Sequence, residues 1–320
     1  MEPRFVYLDQ NHWIYLAQDY WGKPHKPDHK GLAARLLDAV KSDRVRLPLS
    51  TIHFIEHLRA ESAARRHRLA QVFDRFSRGW HMASWSSVLP VEIHRAVANA
   101  LGERSTMPRP EVFGKGFLFG LGPKERALLL EGRTEQQLNL LQSITALPEA
   151  ILDLLSYPNE AGRGRQNAMV IESSRANAAA VEELRSLRKS HSTEVHRRAQ
   201  YAGYMLHHQE LIFPALDAIG RTRDEFLSLG LEGLTAFWSS VPSLDVDCEL
   251  TLYRDRQWSR SVNPSDVRDI GHLALAIPYC EVVVTERFWA RAAEETGLAK
   301  KYGTVVCTDL TEVLEPDGSA

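Results

Sequence analysis

Apolar and polar positions alternate in two regimes along this chain. At both ends, short apolar runs alternate with stretches of helical spacing. Phe5–Leu8 has the length of a buried strand, and residues 11–17 place Ile14, Leu16 and Ala17 on a helical pattern. Residues 21–29 form a loop with two prolines, and Leu32, Leu36, Leu37 and Val40 predict a helix over 31–41. Val45–Leu49 predicts a second strand, with Ser50 or Thr51 as N-cap of a helix carrying Ile52, Ile55 and Leu58. A basic helix follows with Leu69, Val72, Phe73 and Phe76 as its apolar stripe, and Trp80–Val88 predicts a third strand. Near the other end, 245–253 reads as extended or helical, and Asn263–Asp266 caps a helix over 267–277. A strand over 281–285, a helix over 288–296 and a last strand over 304–308 complete the pattern.

Between about Val91 and Ala236 the strand-like runs give way to Ala, Leu, Glu and Arg at helical spacing. A Gly- and Pro-containing loop over 106–124 breaks this stretch. Strand–helix alternation at both ends implies an α/β fold, a central parallel sheet between helical layers, interrupted by a large all-helical insertion. The expected division is a sheet domain from 1–90 and 241–320, with the insertion over 91–240.

In such sheets the ligand site lies outside the carboxyl ends of the strands. That rule singles out Asp9 and Glu286, each ending a predicted strand, with Glu56 and Asp269 on helices beside them. Pooled at one spot, acids resist each other: two carboxylates ~4 Å apart repel by about 4 kcal/mol at an effective dielectric near 20. A divalent cation relieves that repulsion, and Mg²⁺ or Mn²⁺ prefers hard carboxylate oxygens. Taken singly, each acid has a plainer role. Asp9 or Glu286 caps a helix, Glu56 is solvated, and Asp266, one turn before Asp269, is a helix N-terminal charge that also reaches the metals.

Four segments together resemble the PIN-domain nuclease superfamily. Val6-Tyr7-Leu8-Asp9-Gln10-Asn11 is similar to its first motif, an apolar strand followed by Asp-x-Asn. Leu47-Pro48-Leu49-Ser50-Thr51 leading to Glu56 is similar to its strand, Ser/Thr turn and helical Glu. Asp269-Ile270-Gly271-His272-Leu273-Ala274-Leu275-Ala276 resembles its Asp-bearing helix, and Val282-Val283-Val284-Thr285-Glu286 its apolar strand ending in Thr and an acid. The fourth acid is Glu where the family more often has Asp, and the chain is far longer than a minimal PIN domain. The resemblance implies a PIN-like three-layer fold and a Mg²⁺- or Mn²⁺-dependent endonuclease, with RNA the commoner substrate. Asp9, Glu56, Asp269 and Glu286 would then be the metal-holding catalytic acids, with Asp266 as a further ligand and Asn11 and Thr285 as support. A non-catalytic binding module of the same fold is the alternative, and an inhibitory or effector protein partner is compatible with either.

One competing pattern overlaps Glu56. His53-Phe54-Ile55-Glu56-His57 matches the HxxEH motif of inverted zinc peptidases, which needs a further downstream Glu such as Glu131 or Glu135. The acidic constellation explains Glu56 and three other segments together, so the peptidase reading ranks lower.

Composition adds little to the choice. The 320 residues are 44% hydrophobic and carry a formal charge of −2, so nucleic-acid binding needs a local basic surface. Two stretches offer one: residues 59–78, with Arg65 and Arg66, and 185–198, with Arg197 and Arg198 followed by Tyr201 and Tyr204 for stacking. Arg287, next to Glu286, is the cation best placed for a scissile phosphate. Three cysteines without a CxxC predict reduced thiols, no apolar run reaches membrane length, and no signal peptide precedes the first strand. The expectation is a cytoplasmic protein without a membrane partner.

Overall fold

A computed structural model of the chain describes residues 2–145, 149, 152, 155–156 and 160–314. Its contacts divide it into two compact units. The first contains 1–84, 112–172 and 279–320, and the second 85–111 and 173–278. Residues 112–172 therefore group with the sheet, and 241–278 with the helices, unlike the division drawn from the composition shift.

The first unit is built on a four-stranded parallel sheet. Strands β1 (Arg4–Leu8), β2 (Val45–Arg46), β5 (Val282–Val284) and β6 (Val305–Cys307) lie in the order β2-β1-β5-β6. A separate antiparallel pair, β3 (Trp80–Met82) with β4 (Phe113–Lys115), completes the strands. Val6, Tyr7 and Leu8 pair with Val282, Val283 and Val284, and those three pair in turn with Val305, Val306 and Cys307. These apolar runs have no polar alternation because parallel sheets are covered on both faces. Helices α1 (Gln10–Tyr20), α2 (Leu32–Lys41), α3 (Thr51–Arg59) and α4 (Ala63–Ser77) follow the first two strands. Their apolar faces close a core with Leu8, Trp13, Leu36, Phe73, Phe76 and Val284, all fully buried. Trp13 meets Phe73 edge to face at 5.1 Å between ring centroids.

The strand order matters for function. From β1 the chain moves to β2 on one side, and β5 joins on the other. The β1/β5 boundary is therefore the topological switch point, the position outside the strand ends at which open α/β sheets place their ligand sites.

Two expectations about strands change. The predicted strand over 80–88 stops at Met82, and Trp85–Ala100 is helix, with Pro90 inside it. The predicted 45–49 strand keeps only Val45 and Arg46 in the ladder, while Leu49 bridges to His81. β4 lies in the stretch read as loop.

The second unit is helical. Trp85–Ala100, Thr193–Ala218, Gly230–Ser239 and Pro242–Arg256 enclose a core with Ile93, Phe226, Phe237, Trp238 and Leu244. Residues 245–253 are thus helix rather than extended chain. Tyr201 and Tyr204 are buried in that core and not exposed for stacking. All three cysteines are buried free thiols, and among the described residues no helix is long and apolar enough to cross a membrane.

Candidate functional site

Asp9 stands directly after β1, and its backbone N–H continues the ladder to the Val284 carbonyl at 2.9 Å. That bond sets it beside Thr285, the residue after β5. Asp9 Oδ1 accepts from the Gln10 N–H at 2.6 Å, and Oδ2 accepts from the Thr285 hydroxyl at 3.3 Å. Asp9 occupies the N-cap position of α1, yet its side chain bonds the first helical N–H rather than the second or third, which N-caps usually take. Thr285 is fully buried, so the hydroxyl fixes one carboxylate oxygen from the core side.

Glu286 follows Thr285 and is exposed. Its Oε1 accepts from the Asn11 side-chain amide at 2.8 Å, which ties the start of α1 to the end of β5 a second time. Asn11 and Thr285 thus hold the two strand-end acids. Glu56 lies half-buried on α3, between the buried Phe54 and His57.

These three acids form one electrostatic cluster. Only 7% of Asp9 is exposed. Burial, reinforced by the Glu56 and Glu286 carboxylates, pushes its carboxyl up from 3.8 to about 7 against the Gln10 and Thr285 hydrogen bonds. Near neutral pH, Asp9 therefore exchanges a proton easily, and added positive charge would displace it. The donor set is all oxygen, which fits Mg²⁺ or Mn²⁺ rather than a thiophilic metal. The cluster is not a closed cage: among the described residues no group of three or more His, Cys, Asp or Glu side chains is arranged to hold an ion as it stands.

The other nominated residues are placed differently. Asp269 lies half-buried in the first turn of the helix Asp266–Tyr279, and both it and Asp266 belong to the second unit. Asp266 is buried, and both its oxygens are engaged. Arg260 grips them at 2.7 and 2.8 Å, and the Asn263 N–H donates to one at 2.9 Å. That carboxylate closes the turn before its helix.

Arg66 is buried, its guanidinium donating to the Ala60 and Glu61 carbonyls at 2.7 and 2.9 Å. It caps the carboxyl end of α3 and has no free face for a phosphate. Arg65, one position earlier, is exposed. In the second unit Arg197 pairs with Glu249 and Arg198 with Glu194, so carboxylates already neutralise both. Arg287 is exposed beside Glu286.

The HxxEH motif does not make a zinc site. His53 is fully buried, its Nδ1 accepting from the Ser50 N–H at 2.9 Å and its Nε2 bonding the Leu8 carbonyl at 2.8 Å. With Nδ1 accepting, Nε2 carries the proton. No lone pair remains for a metal without breaking a buried bond. Burial also lowers the His53 and His57 imidazoles from 6.5 to about 4.

His53 has a structural role that its HxxEH pattern does not signal. It anchors the last residue of β1 from α3, and so positions both Asp9 and Glu56. No family model matches the chain, and no curated protein and no solved structure is detectably similar to it.

Proposed function

We propose that the first unit is the nuclease centre of a PIN-like endoribonuclease, in which Asp9, Glu56 and Glu286 hold Mg²⁺ or Mn²⁺ against a scissile phosphate. The observation that carries this reading is the pairing of Asp9 and Thr285-Glu286 at the carboxyl ends of adjacent strands. They flank the switch point, and burial together with the Glu56 and Glu286 carboxylates raises the Asp9 carboxyl to about 7. A purely structural cap would not gather like charges around a buried carboxylate.

When bound, the divalent ion would neutralise charge on the phosphate and make an attacking water more acidic. The chain's own residues do the rest. The Gln10 N–H and the Thr285 hydroxyl orient the Asp9 carboxylate, and the Asn11 amide orients Glu286. With its carboxyl raised to about 7, Asp9 is partly protonated at neutral pH without an ion, and positive charge at the site would favour its carboxylate. Arg287, exposed next to Glu286, supplies a cation for the phosphate being cleaved.

RNA rather than DNA follows the commoner habit of the resembled family. The acids assigned here are those of the first unit, and Asp269 belongs to the second. The zinc-peptidase alternative loses its footing with the engagement of both His53 nitrogens. Cleavage of end-labelled single-stranded and hairpin RNA in Mg²⁺, Mn²⁺ or EDTA tests the proposal. Metal-dependent cutting abolished by Asp9→Asn supports it, and cutting that survives Asp9→Asn overturns it.

A further inference from the structure

A groove in the first unit leads away from the acids. Helix α1 exposes one stripe, Asn11, Ile14, Gln18 and Trp21, at the spacing of neighbours on a helix face. Asn11 bonds Glu286, and Ile14, Gln18 and Trp21 line a groove of about 520 Å³. The opposite wall starts from Ala60, four residues after Glu56, and continues with Arg65 and Arg68 of α4. Two separate elements thus run from the acid cluster into the same groove.

Its chemistry is specific. Trp21 is 43% exposed and Ile14 36%, so a large apolar floor faces water. Lys23, Arg65 and Arg68 edge that floor, all exposed and none in an ion pair among the described residues. The Arg68 guanidinium sits 5.8 Å from the Trp21 ring centroid.

The backbone that carries the indole is also held in place. Helix α1 ends in a Schellman turn, with Lys23 N–H donating to the Gln18 carbonyl at 2.8 Å and Gly22 N–H to the Asp19 carbonyl at 2.9 Å. Gly22, at φ +74, allows this turn. Trp21 and Lys23 are therefore presented on a fixed corner rather than on a loose loop. An aromatic face with cations along its edge is what a single-stranded nucleic acid needs: stacking for a base and counter-charge for its phosphates.

We propose that this groove binds single-stranded RNA, with one unpaired base stacked on Trp21 and the adjoining phosphates on Lys23, Arg65 and Arg68. The ten steps from Asn11 to Trp21 span about 15 Å at about 1.5 Å per residue. The stacked base therefore lies a few nucleotides from the bond at the acids. The inference rests on the nuclease reading for the identity of its ligand. Duplex RNA fits poorly, because its bases are already stacked and paired.

The test separates binding from cutting. Anisotropy of a fluorescein-labelled single-stranded oligoribonucleotide is measured in EDTA for wild type, Trp21→Ala and Trp21→Phe. Trp21→Ala weakens binding roughly tenfold, the loss expected for one stacked base, while Trp21→Phe keeps most of the affinity. The same sequence as a duplex binds more weakly than the single strand, and Arg68→Gln lowers the salt dependence of binding. Trp21 is exposed, so an unchanged melting temperature confirms that Trp21→Ala is folded. Equal affinity of wild type and Trp21→Ala overturns the proposal, as does a preference for duplex or no binding of RNA. RNA bound through Trp21 but never cut would overturn the nuclease reading and leave the groove standing.

Discussion

Replacing Asp9 with Asn should make the metal-free protein more stable, and more so as pH rises. A carboxyl raised from 3.8 to about 7 holds its proton more tightly in the folded than in the unfolded chain. Its contribution to stability is therefore fully present below about 4 and is lost as pH climbs through 7. At about 1.36 kcal/mol per pH unit, the full loss is about 4 kcal/mol once Asp9 is ionised. Asn keeps the size and one accepting oxygen for the Gln10 N–H, its amide N–H can donate to the Thr285 hydroxyl oxygen in place of the bond that Asp9 accepts, and it never ionises. The stability gap in favour of Asp9→Asn should widen by about 2–3 kcal/mol between pH 5 and pH 8, from integration of the two titrations. Comparing two variants cancels the buried histidines His12, His53, His57 and His81, whose lowered values make both proteins less stable toward acid. Urea unfolding in EDTA by far-UV circular dichroism measures the gap. Hydrogen exchange of the β1 amides assigns it to the first unit. Adding Mg²⁺ at ten times its Kd should return about 1.4 kcal/mol to wild type and less to the variant. A gap that stays constant with pH, or an Asp9→Asn protein that is the weaker of the two at pH 8, would refute the reasoning.

His53→Gln should destabilise the first unit by about 2–4 kcal/mol, because two buried backbone partners, the Ser50 N–H and the Leu8 carbonyl, lose a well-aimed group. Wild type should bind no stoichiometric zinc by equilibrium dialysis with atomic emission, whereas a zinc peptidase would bind one ion and lose it with this substitution. Arg66→Ala should lower stability by about 1.5–3 kcal/mol, since the charged donor to the Ala60 and Glu61 carbonyls is buried. Arg65→Ala should instead leave the melt within about 0.5 kcal/mol and reduce the salt slope of RNA binding by about one. A melt of each variant beside an anisotropy titration checks both statements.

Parts of this architecture are legible in the chain because they depend on local pattern. β1 and β5 are apolar runs terminated by an acid, so both the strand and the position of the acid at its end can be read directly. The site acids at 9 and 286 follow from that. Glu56 is legible through the Ser50 turn, but the fixing of its helix by His53 is not, because the partner is the Leu8 carbonyl, 45 residues away. Arg66 offered a signal in its spacing: it is three residues before Leu69 and seven before Phe73, on the apolar stripe of α4, where a cation must find buried acceptors. The exposed stripe through Ile14 and Trp21 offered none, because Ile14 reads on one apolar pattern with the buried Leu16 and Ala17, and Trp21 reads as the start of a loop. β4 was hidden because its pairing with β3 is non-local and its glycines read as loop. The helix over 266–279 shows how periodicity identifies a helix but not which core covers it. Asp269 is grouped with the sheet by its motif, whereas by contact it belongs to the helical unit.

The central claim is that Asp9 and Glu286 serve metal-dependent phosphodiester cleavage, and single-turnover cutting of a labelled single-stranded RNA tests it most directly. Wild type, Asp9→Asn and Glu286→Gln would be compared at pH 8 in Mg²⁺, in Mn²⁺ and in EDTA, each protein shown to be folded by its melt. The account predicts cleavage by wild type with either ion, none in EDTA, and a loss of at least 100-fold in both variants, with RNA binding retained. Cleavage in EDTA, or variants that cut as fast as wild type, would contradict it.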